Sequence, residues 1–211
     1  MKKIFLLVFS ILALTYSLAL APYCLAQANS AKEIKPLVVG ASLPFADVST
    51  IESKKINLKD EIKGKPSLLI FYRGGWCPYC NLQLGELQKI EADLRALGVS
   101  IVAISPDSPE HLKKSMKEKT LSYKLYSDNR MNAAKAFGIA FKVDEKMFKD
   151  LLGYGVDIEK SSGFNHRLLP VPAAFLIDKE GVIRFQYANP DYKVRVSTEE
   201  LIAAAKELGN K

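Results

Sequence analysis

Along the middle of the chain, continuous apolar runs alternate with segments whose apolar residues recur every three or four positions. Two runs, 67–72 and 99–104, are typical of strands that are buried on both faces of a sheet. Between them, the helical spacing predicts a helix from Cys77 to Leu97, which Gly98 ends. The later predicted elements are helices near 110–119 and 129–137, a short strand near 123–126, a hairpin of strands at 173–178 and 182–187, and a last helix at 197–208. This order predicts an α/β fold in which helices flank a central mixed sheet.

Two parts of the chain lack this alternation. Residues 32–63 form a polar, turn-rich lead-in with short apolar pieces at 43–48 and 55–58. Residues 142–169 fit no regular pattern apart from an amphipathic turn or two at 145–152, so we predict an irregular connection there. A connection of that length is usually a functional loop or poorly ordered. Four aromatic residues in or beside it either form an apolar lid over a site or pack onto the sheet; they are Phe141, Phe148, Tyr154 and Phe164.

The beginning of the chain has the three parts of a secretory signal. A basic Met1-Lys2-Lys3 precedes an apolar stretch at 4–21, and Ala26-Gln27-Ala28 is a small-x-small cleavage signature. The predicted division of the chain is a signal peptide at 1–28, a linker at 29–35 and one domain at 36–211. We therefore expect a protein exported to the periplasm or another extracytoplasmic space. Lipidation at Cys24 is an alternative, and so is an uncleaved membrane anchor, because the apolar stretch approaches the roughly 20 residues that span a bilayer.

Composition limits the function further. A chain of 211 residues with 48% hydrophobic and 25% charged residues supports one domain with a sizeable core and excludes a disordered protein. The net charge of +7 falls to +5 when the signal is removed, since Lys2 and Lys3 are lost and no acid is. The remaining charge is spread along the chain, which predicts a solvated basic surface and no nucleic-acid partner. A membrane is a partner only if the signal is uncleaved.

Loss of the signal also removes Cys24 and leaves Cys77 and Cys80, two residues apart, as the only cysteines. The pair stands where a buried strand turns into a helix, and a helix N-terminus favours a thiolate, with a pKa lowered from about 8.5 to roughly 3.5–7.5. Pro78 suits the first helical turn. No second cysteine pair exists, and His111 and His166 lack ligand spacing, so we expect neither a metal nor a cofactor. The pattern favours a redox pair over a structural disulfide.

Trp76-Cys77-Pro78-Tyr79-Cys80 resembles the active site of the thioredoxin superfamily. Over most of its length the chain resembles the alkyl hydroperoxide reductase/thiol-specific antioxidant, or peroxiredoxin, family, in particular its CxxC-containing peroxiredoxin-like branch. The segments that carry this resemblance are 102–109, 125–128, 134–138 and 171–181. The resemblance implies a thioredoxin-like fold, a thiol-dependent antioxidant oxidoreductase, a peroxide or disulfide substrate, and a thioredoxin-like electron donor.

The resemblance also implies roles for individual residues. The peroxidatic cysteine of peroxiredoxins falls on Cys80, whereas Cys77 stands at the position of the family's hydroxyl residue and Arg73 at that of its proline. The family's later arginine falls on Pro172, so two of the groups that orient peroxide are absent. Val171-Pro172 instead resembles the cis-proline loop of thioredoxins, which faces the CxxC and docks substrate backbone.

Three hypotheses follow. In the leading one, the Cys80 thiolate attacks a peroxide, Cys77 condenses with the sulfenic acid, and an external thiol reduces the disulfide. Arg73 then either supplies positive charge to the site or is a solvated loop residue. In the second, Cys77 attacks a substrate disulfide and Cys80 resolves the mixed disulfide. In the third, the CxxC is a structural clip of an exported binding module. His166 either approaches the site or is an exposed loop histidine.

Overall fold

Seven strands form one mixed sheet in the computed structural model, which describes residues 27–119 and 121–209. In chain order the strands of the molecule are β1 (Asp47–Ser49), β2 (Lys55–Asn57), β3 (Ser67–Phe71), β4 (Ser100–Ser105), β5 (Lys124–Ser127), β6 (Ala140–Lys142), β7 (Leu168–Pro170), β8 (Ala173–Ile177) and β9 (Ile183–Ala188). The sheet has the order β2-β1-β5-β4-β3-β8-β9, and β6 pairs with β7 in a separate antiparallel ribbon. Strand β3 runs parallel to β4 and antiparallel to β8, so it lies inside the sheet.

Helices lie on both faces of this sheet. They are α1 (Leu58–Glu61), α2 (Pro78–Ala96), α3 (Pro109–Lys119), α4 (Asn132–Ala136), α5 (Glu145–Gly153), α6 (Ile158–Ser162) and α7 (Thr198–Gly209). A single 3₁₀ turn at Ala31–Glu33 precedes them in the part of the chain that the structure describes. The predicted α/β fold with a central mixed sheet flanked by helices is therefore confirmed.

The alternation of side chains along β3 divides the core in two. Leu69 and Phe71 point to one side, into a cluster that includes Phe137 and Phe175. Leu68, Ile70 and Tyr72 belong to the cluster on the other side, where α2 and α7 pack. Cys77 and Cys80 are members of this second cluster. The start of α2, with both cysteines, therefore lies on the same face of the sheet as α7.

The region 142–169 is more regular than predicted. Instead of an irregular connection it holds α5 and α6, and its end forms the β6–β7 ribbon. Side-chain caps start both helices: Asp144 accepts the N–H of Met147, and Asp157 accepts the N–H of Lys160. Gly163 ends α6 in the left-handed conformation, with φ of 76°. The amphipathic turns predicted at 145–152 correspond to α5, whereas α6 was not predicted, because its five residues make fewer than two helical turns.

Ala28, the last residue of the predicted signal, and Lys35, the last of the predicted linker, both make backbone hydrogen bonds to the domain. The Ala28 N–H donates to the Ala140 carbonyl, and the Lys142 backbone N–H donates to the Ala28 carbonyl. Ala28 therefore extends the ribbon beside β6. Farther on, the Lys35 N–H donates to the Gly138 carbonyl. The predicted signal falls almost wholly outside the described residues. Within 27–119 and 121–209, no helix has both the length and the apolar character needed to cross a bilayer.

Candidate active site

The redox pair lies at the N-terminus of α2, as the sequence predicts. Cys77 is the N-cap residue, in extended conformation, and Pro78 occupies the first turn. Both cysteines are free thiols, and both are buried, with 1% of Cys77 and none of Cys80 exposed. The pair is therefore a reduced dithiol that macromolecules do not reach in this conformation.

The loop before the pair is held by two side chains, one that follows β4 and one in α2. Asp107, which follows β4, accepts the Gly75 N–H at 2.7 Å, and the amide of Asn81 in α2 donates to the Gly75 carbonyl at 2.9 Å. Gly74 has φ of 143°, and a Cβ there would lie 2.9 Å from the Asp107 carboxylate and 2.3 Å from the Trp76 ring nitrogen. A side chain does not fit so close an approach, so Gly74 is required by the packing of this loop.

The two cysteines differ in protonation. The pKa of Cys77 is lowered to about 6, mainly because the Cys80 S–H donates a hydrogen bond to its sulfur; the Cys80 backbone N–H and the charges of Arg73 and Arg195 add to this. The same hydrogen bond, together with burial and the negative charge of Cys77, raises the pKa of Cys80 well above its usual value. These interactions favour the thiolate at Cys77 over Cys80, whereas the leading sequence hypothesis places the reactive thiolate at Cys80.

Arg195 contacts the buried sulfur directly. Its Nη2 lies 3.5 Å from the Cys80 Sγ, and its Nε donates to the side chain of Gln83 at 2.9 Å. Arg195 belongs to the connection between β9 and α7, which we call the 190–196 segment. A second contact of this segment is the T-shaped pair of Tyr192 with Tyr79, whose ring centroids are 5.9 Å apart. The 190–196 segment thus covers the start of α2.

Arg73 is buried rather than solvated. It is 4% exposed, and its guanidinium carbon lies 5.0 Å from the ring centroid of Trp76 and 4.1 Å from that of Tyr192. Its Nε is buried with no hydrogen-bond partner, while its backbone N–H donates to the Cys80 sulfur. The positive charge of Arg73 is therefore buried and favours the Cys77 thiolate, and the alternative of a solvated loop arginine is wrong.

Pro172 lies near the site but in a different geometry from the expected one. None of the described residues has a cis peptide bond, so the Val171–Pro172 bond is trans and not the cis bond that the resemblance implied. Trans is the favoured form of an X–Pro bond by roughly 0.5–1 kcal/mol. Pro172 lines a cavity of about 230 Å³ together with Arg73 and Tyr192. The predicted role of Pro172 beside the redox pair stays a prediction, and the cavity that Pro172 and Arg73 share is where a substrate would contact it.

Other predicted residues lie elsewhere. The His166 Nε2 faces the Asn129 carbonyl at 2.9 Å and its Nδ1 accepts the Leu168 N–H, so neither nitrogen serves a cysteine. Burial lowers the pKa of His166. Of the aromatic residues proposed as a lid, Phe141 and Phe148 are buried in a third apolar cluster, which favours the packing alternative for them.

Sequence reasoning missed three groups that contact the loop or the sulfurs: Asp107, Asn81 and Arg195. Asp107 lies in one of the segments that carry the family resemblance and was assigned no role. The contact between Arg195 and Cys80 joins residues 115 positions apart, and no local pattern in the sequence signals it.

A reduced CxxC pair at a helix N-terminus, beside a central strand of this mixed sheet, defines a thiol-dependent oxidoreductase of thioredoxin-like fold. Residues 39–186 match the AhpC/TSA family, and the chain belongs to that family. The chain is 30% identical over 150 residues to the putative peroxiredoxin Bcp of Haemophilus influenzae. The aligned region covers 71% of this chain and 85% of that protein. It is also 30% identical over 183 residues to the thiol-disulfide oxidoreductase ResA of Bacillus cereus, covering 87% of each.

Solved structures of peroxiredoxins share the fold. Reduced Prx3 of Vibrio vulnificus superposes with a TM-score of 0.66 at 19% identity, over 81% of this chain and 99% of that one. Peroxidoxin BcpB of Mycobacterium tuberculosis gives a TM-score of 0.62 at 16% identity, over 81% and 97% of the two chains. The resemblance found in the sequence is thereby confirmed at the level of family and fold.

Proposed function

We propose that the protein reduces small hydroperoxides through a dithiol cycle in which Cys77 is the nucleophile and Cys80 the resolving cysteine. The observation that carries this proposal is a thiolate-favouring Cys77, with its pKa at about 6, that is only 1% exposed. A protein disulfide needs the attacking sulfur at the surface, whereas a small peroxide does not. The similarity to the peroxiredoxins named Bcp supports the same substrate class.

Each turn of the cycle consumes two electrons, which one external dithiol or two external thiols supply. The Cys77 thiolate attacks one peroxide oxygen, the O–O bond breaks, and the leaving oxygen takes a proton as an alcohol or water. Cys77 is then a sulfenic acid, and the Cys80 thiol condenses with it to form a disulfide and water. An external thiol donor, which the family resemblance predicts to be thioredoxin-like, returns the disulfide to the dithiol.

Thiol–disulfide exchange is the second candidate. It is favoured by the position of Cys77 as the N-cap of α2 with Pro78 behind it, and by the similarity to ResA. In that reaction Cys77 attacks a substrate disulfide and Cys80 resolves the mixed disulfide. Both candidates use the same two residues, so the substrate distinguishes them.

The test is single-turnover consumption of hydrogen peroxide by the wild type and by two variants, without any donor. We expect Cys80→Ser to consume one equivalent and to stop at a sulfenic acid, and Cys77→Ser to react no faster than a free thiol. The opposite pattern would assign the nucleophile to Cys80. If the wild type also reacts no faster than a free thiol, yet reduces insulin disulfides, thiol–disulfide exchange replaces the peroxidase.

Export is the second part of the proposal, and the signal-like sequence at 1–28 supports it. A cut after Ala28 removes the residue that pairs with β6, so two backbone hydrogen bonds of the ribbon would be lost. The intact mass of the protein recovered from the extracytoplasmic fraction tests the cut. A mass equal to that of residues 29–211 supports it, whereas a full-length mass in the membrane fraction indicates an uncleaved anchor.

A further inference from the structure

The burial of the two cysteines restricts what can reduce them as well as what can oxidise them. In the reduced protein the two cysteines are 1% and 0% exposed, so a small thiol reaches this site more readily than a protein does. A small thiol needs a place to bind near the sulfurs. The candidate is the cavity of about 230 Å³ that Arg73 lines, because the charge of the same Arg73 acts on the Cys77 sulfur.

The walls of this cavity are mainly apolar. Phe141, Met147, Val171, Pro172 and Tyr192 line it. Its volume of about 230 Å³ is several times the roughly 30 Å³ that one water molecule occupies in the liquid. The cavity therefore suits a small organic molecule.

The charges that line the cavity favour an anion. Arg73, Lys32 and Lys142 contribute positive charge, and Asp144 is the single acid among the lining residues. The Asp144 carboxylate is already used, because it accepts the Met147 N–H at 2.7 Å as the N-cap of α5. The lining is thus cationic on balance, with its acid held by a helix N-terminus.

Arg73 is the lining residue whose side chain can bind that anion. It lines the cavity, it is 4% exposed, and its Nε is buried without a hydrogen-bond partner. Its contacts with Trp76 and Tyr192 are made with ring faces, which accept no in-plane N–H bond. A guanidinium carries five in-plane donors and binds carboxylates through two at once. The donors of Arg73 are therefore incompletely satisfied.

We propose that this cavity binds a small carboxylate-bearing thiol, which reduces the Cys77–Cys80 disulfide with its carboxylate on Arg73 and its carbon chain against Pro172. This inference rests on the dithiol cycle proposed above. One thiolate attacks the Cys77 sulfur, the disulfide breaks, and Cys80 leaves and takes a proton. A second thiolate then attacks the bound thiol's sulfur, which releases the external disulfide and restores the Cys77 thiolate.

The test compares two thiols of the same length and different charge, 3-mercaptopropionate and 3-mercaptopropanol. The protein is oxidised with diamide, and its reduction is followed by the fluorescence of Trp76, the only tryptophan in the chain, which lies over Arg73. Rates are compared at equal thiolate concentration. We expect the carboxylate thiol to react about tenfold to a hundredfold faster, the range for a hydrogen bond to a charged group, and to saturate.

Arg73→Met is expected to abolish this preference, and Arg73→Lys to keep part of it. The ratio of the two rates is the readout, since any general effect of Arg73 on the sulfurs cancels in it. Arg130→Met is the matched control, because Arg130 also lies over an aromatic ring, that of Phe164, but does not line the cavity. Its ratio is expected to equal that of the wild type.

A wild-type ratio of one or less would overturn the proposal, and so would a ratio that Arg73→Met leaves unchanged in a folded protein. The measurement starts from a disulfide made by diamide and needs no peroxide. A protein that consumes no peroxide but prefers the carboxylate thiol would therefore overturn the peroxidase and retain the subsite.

Discussion

The thiol of Cys80 is expected to control the ionisation of Cys77. The pKa of Cys77 is lowered to about 6, and the largest cause is the hydrogen bond that the Cys80 S–H donates to its sulfur. Cys80→Ala removes this donor but keeps Arg73, Arg195 and the N-terminus of α2 in place. The substitution is therefore expected to raise the pKa of Cys77.

The size of the effect follows from that one bond. A hydrogen bond to a charged group contributes about 1.5–3 kcal/mol, and about 1.36 kcal/mol corresponds to one pKa unit. Its loss is expected to raise the pKa of Cys77 by about 1–2 units, from about 6 to between about 7 and 8. At pH 7 the thiolate fraction then falls from about nine-tenths to between about one half and one tenth. The rate of alkylation at pH 7 falls in proportion, since the thiolate is the reactive form.

The assay is the pH dependence of iodoacetamide alkylation, with mass spectrometry to locate the label. Cys80→Ser is the matched control, because its hydroxyl keeps a donor of similar size next to Cys77. We expect its midpoint to stay close to that of the wild type and below that of Cys80→Ala. A midpoint near 6 in Cys80→Ala would refute the reasoning, as would labelling of the wild type at Cys80 before Cys77.

Three further predictions test other parts of the structure. Arg195→Met removes a charge that lowers the pKa of the nucleophile, so the alkylation midpoint is expected to rise by about one unit or less; a lower midpoint contradicts this. Gly138→Ala puts a Cβ 2.0 Å from the Lys35 carbonyl, whereas Gly155→Ala meets nothing within 4 Å at a similar φ. In urea unfolding, Gly155→Ala is expected to cost about 1–2 kcal/mol and Gly138→Ala clearly more, and equal losses would be evidence against the close approach. Burial raises the pKa of Asp128 from 3.8 to about 7, so the folded protein binds a proton at this carboxyl more tightly than the unfolded chain does. The free energy of unfolding is therefore expected to fall as pH rises from about 4 to 7. Asp128→Asn is expected to flatten this part of the stability–pH profile, and an unchanged slope would exclude Asp128 as its cause.

The buried strands and the long helix could be predicted because their patterns are local and continuous. The run at 67–72 and the spacing after Cys77 correspond to β3 and α2 within one or two residues. The region 142–169 could not be predicted in the same way, since α6 has only five residues and depends on the caps Asp157 and Gly163. Capping is worth roughly 1 kcal/mol and leaves a weaker signal than burial does.

The position of the candidate site was predictable, but its electrostatics were not. The CxxC stands at the helix N-terminus in the sequence itself, whereas the charge on each sulfur depends on contacts made in three dimensions. The family resemblance predicts the peroxidatic cysteine at Cys80, yet the hydrogen bond to Cys77 and burial raise the pKa of Cys80. Arg195 reaches that sulfur from 115 positions away, and a family resemblance based on local motifs carries no information about such a contact.

Both sulfurs have groups nearby that stabilise negative charge, and this arrangement fits the movement of charge in the proposed cycle. In the reduced protein the negative charge is on Cys77, near the charge of Arg73. When a thiol attacks the disulfide at Cys77, the leaving sulfur is Cys80, and the charge moves there. Arg195 Nη2 lies 3.5 Å from that sulfur, and the Arg73 backbone N–H donates to it, so both stabilise the leaving thiolate. These donors are in place in the reduced protein, so the structure already holds groups that can stabilise a thiolate at either sulfur.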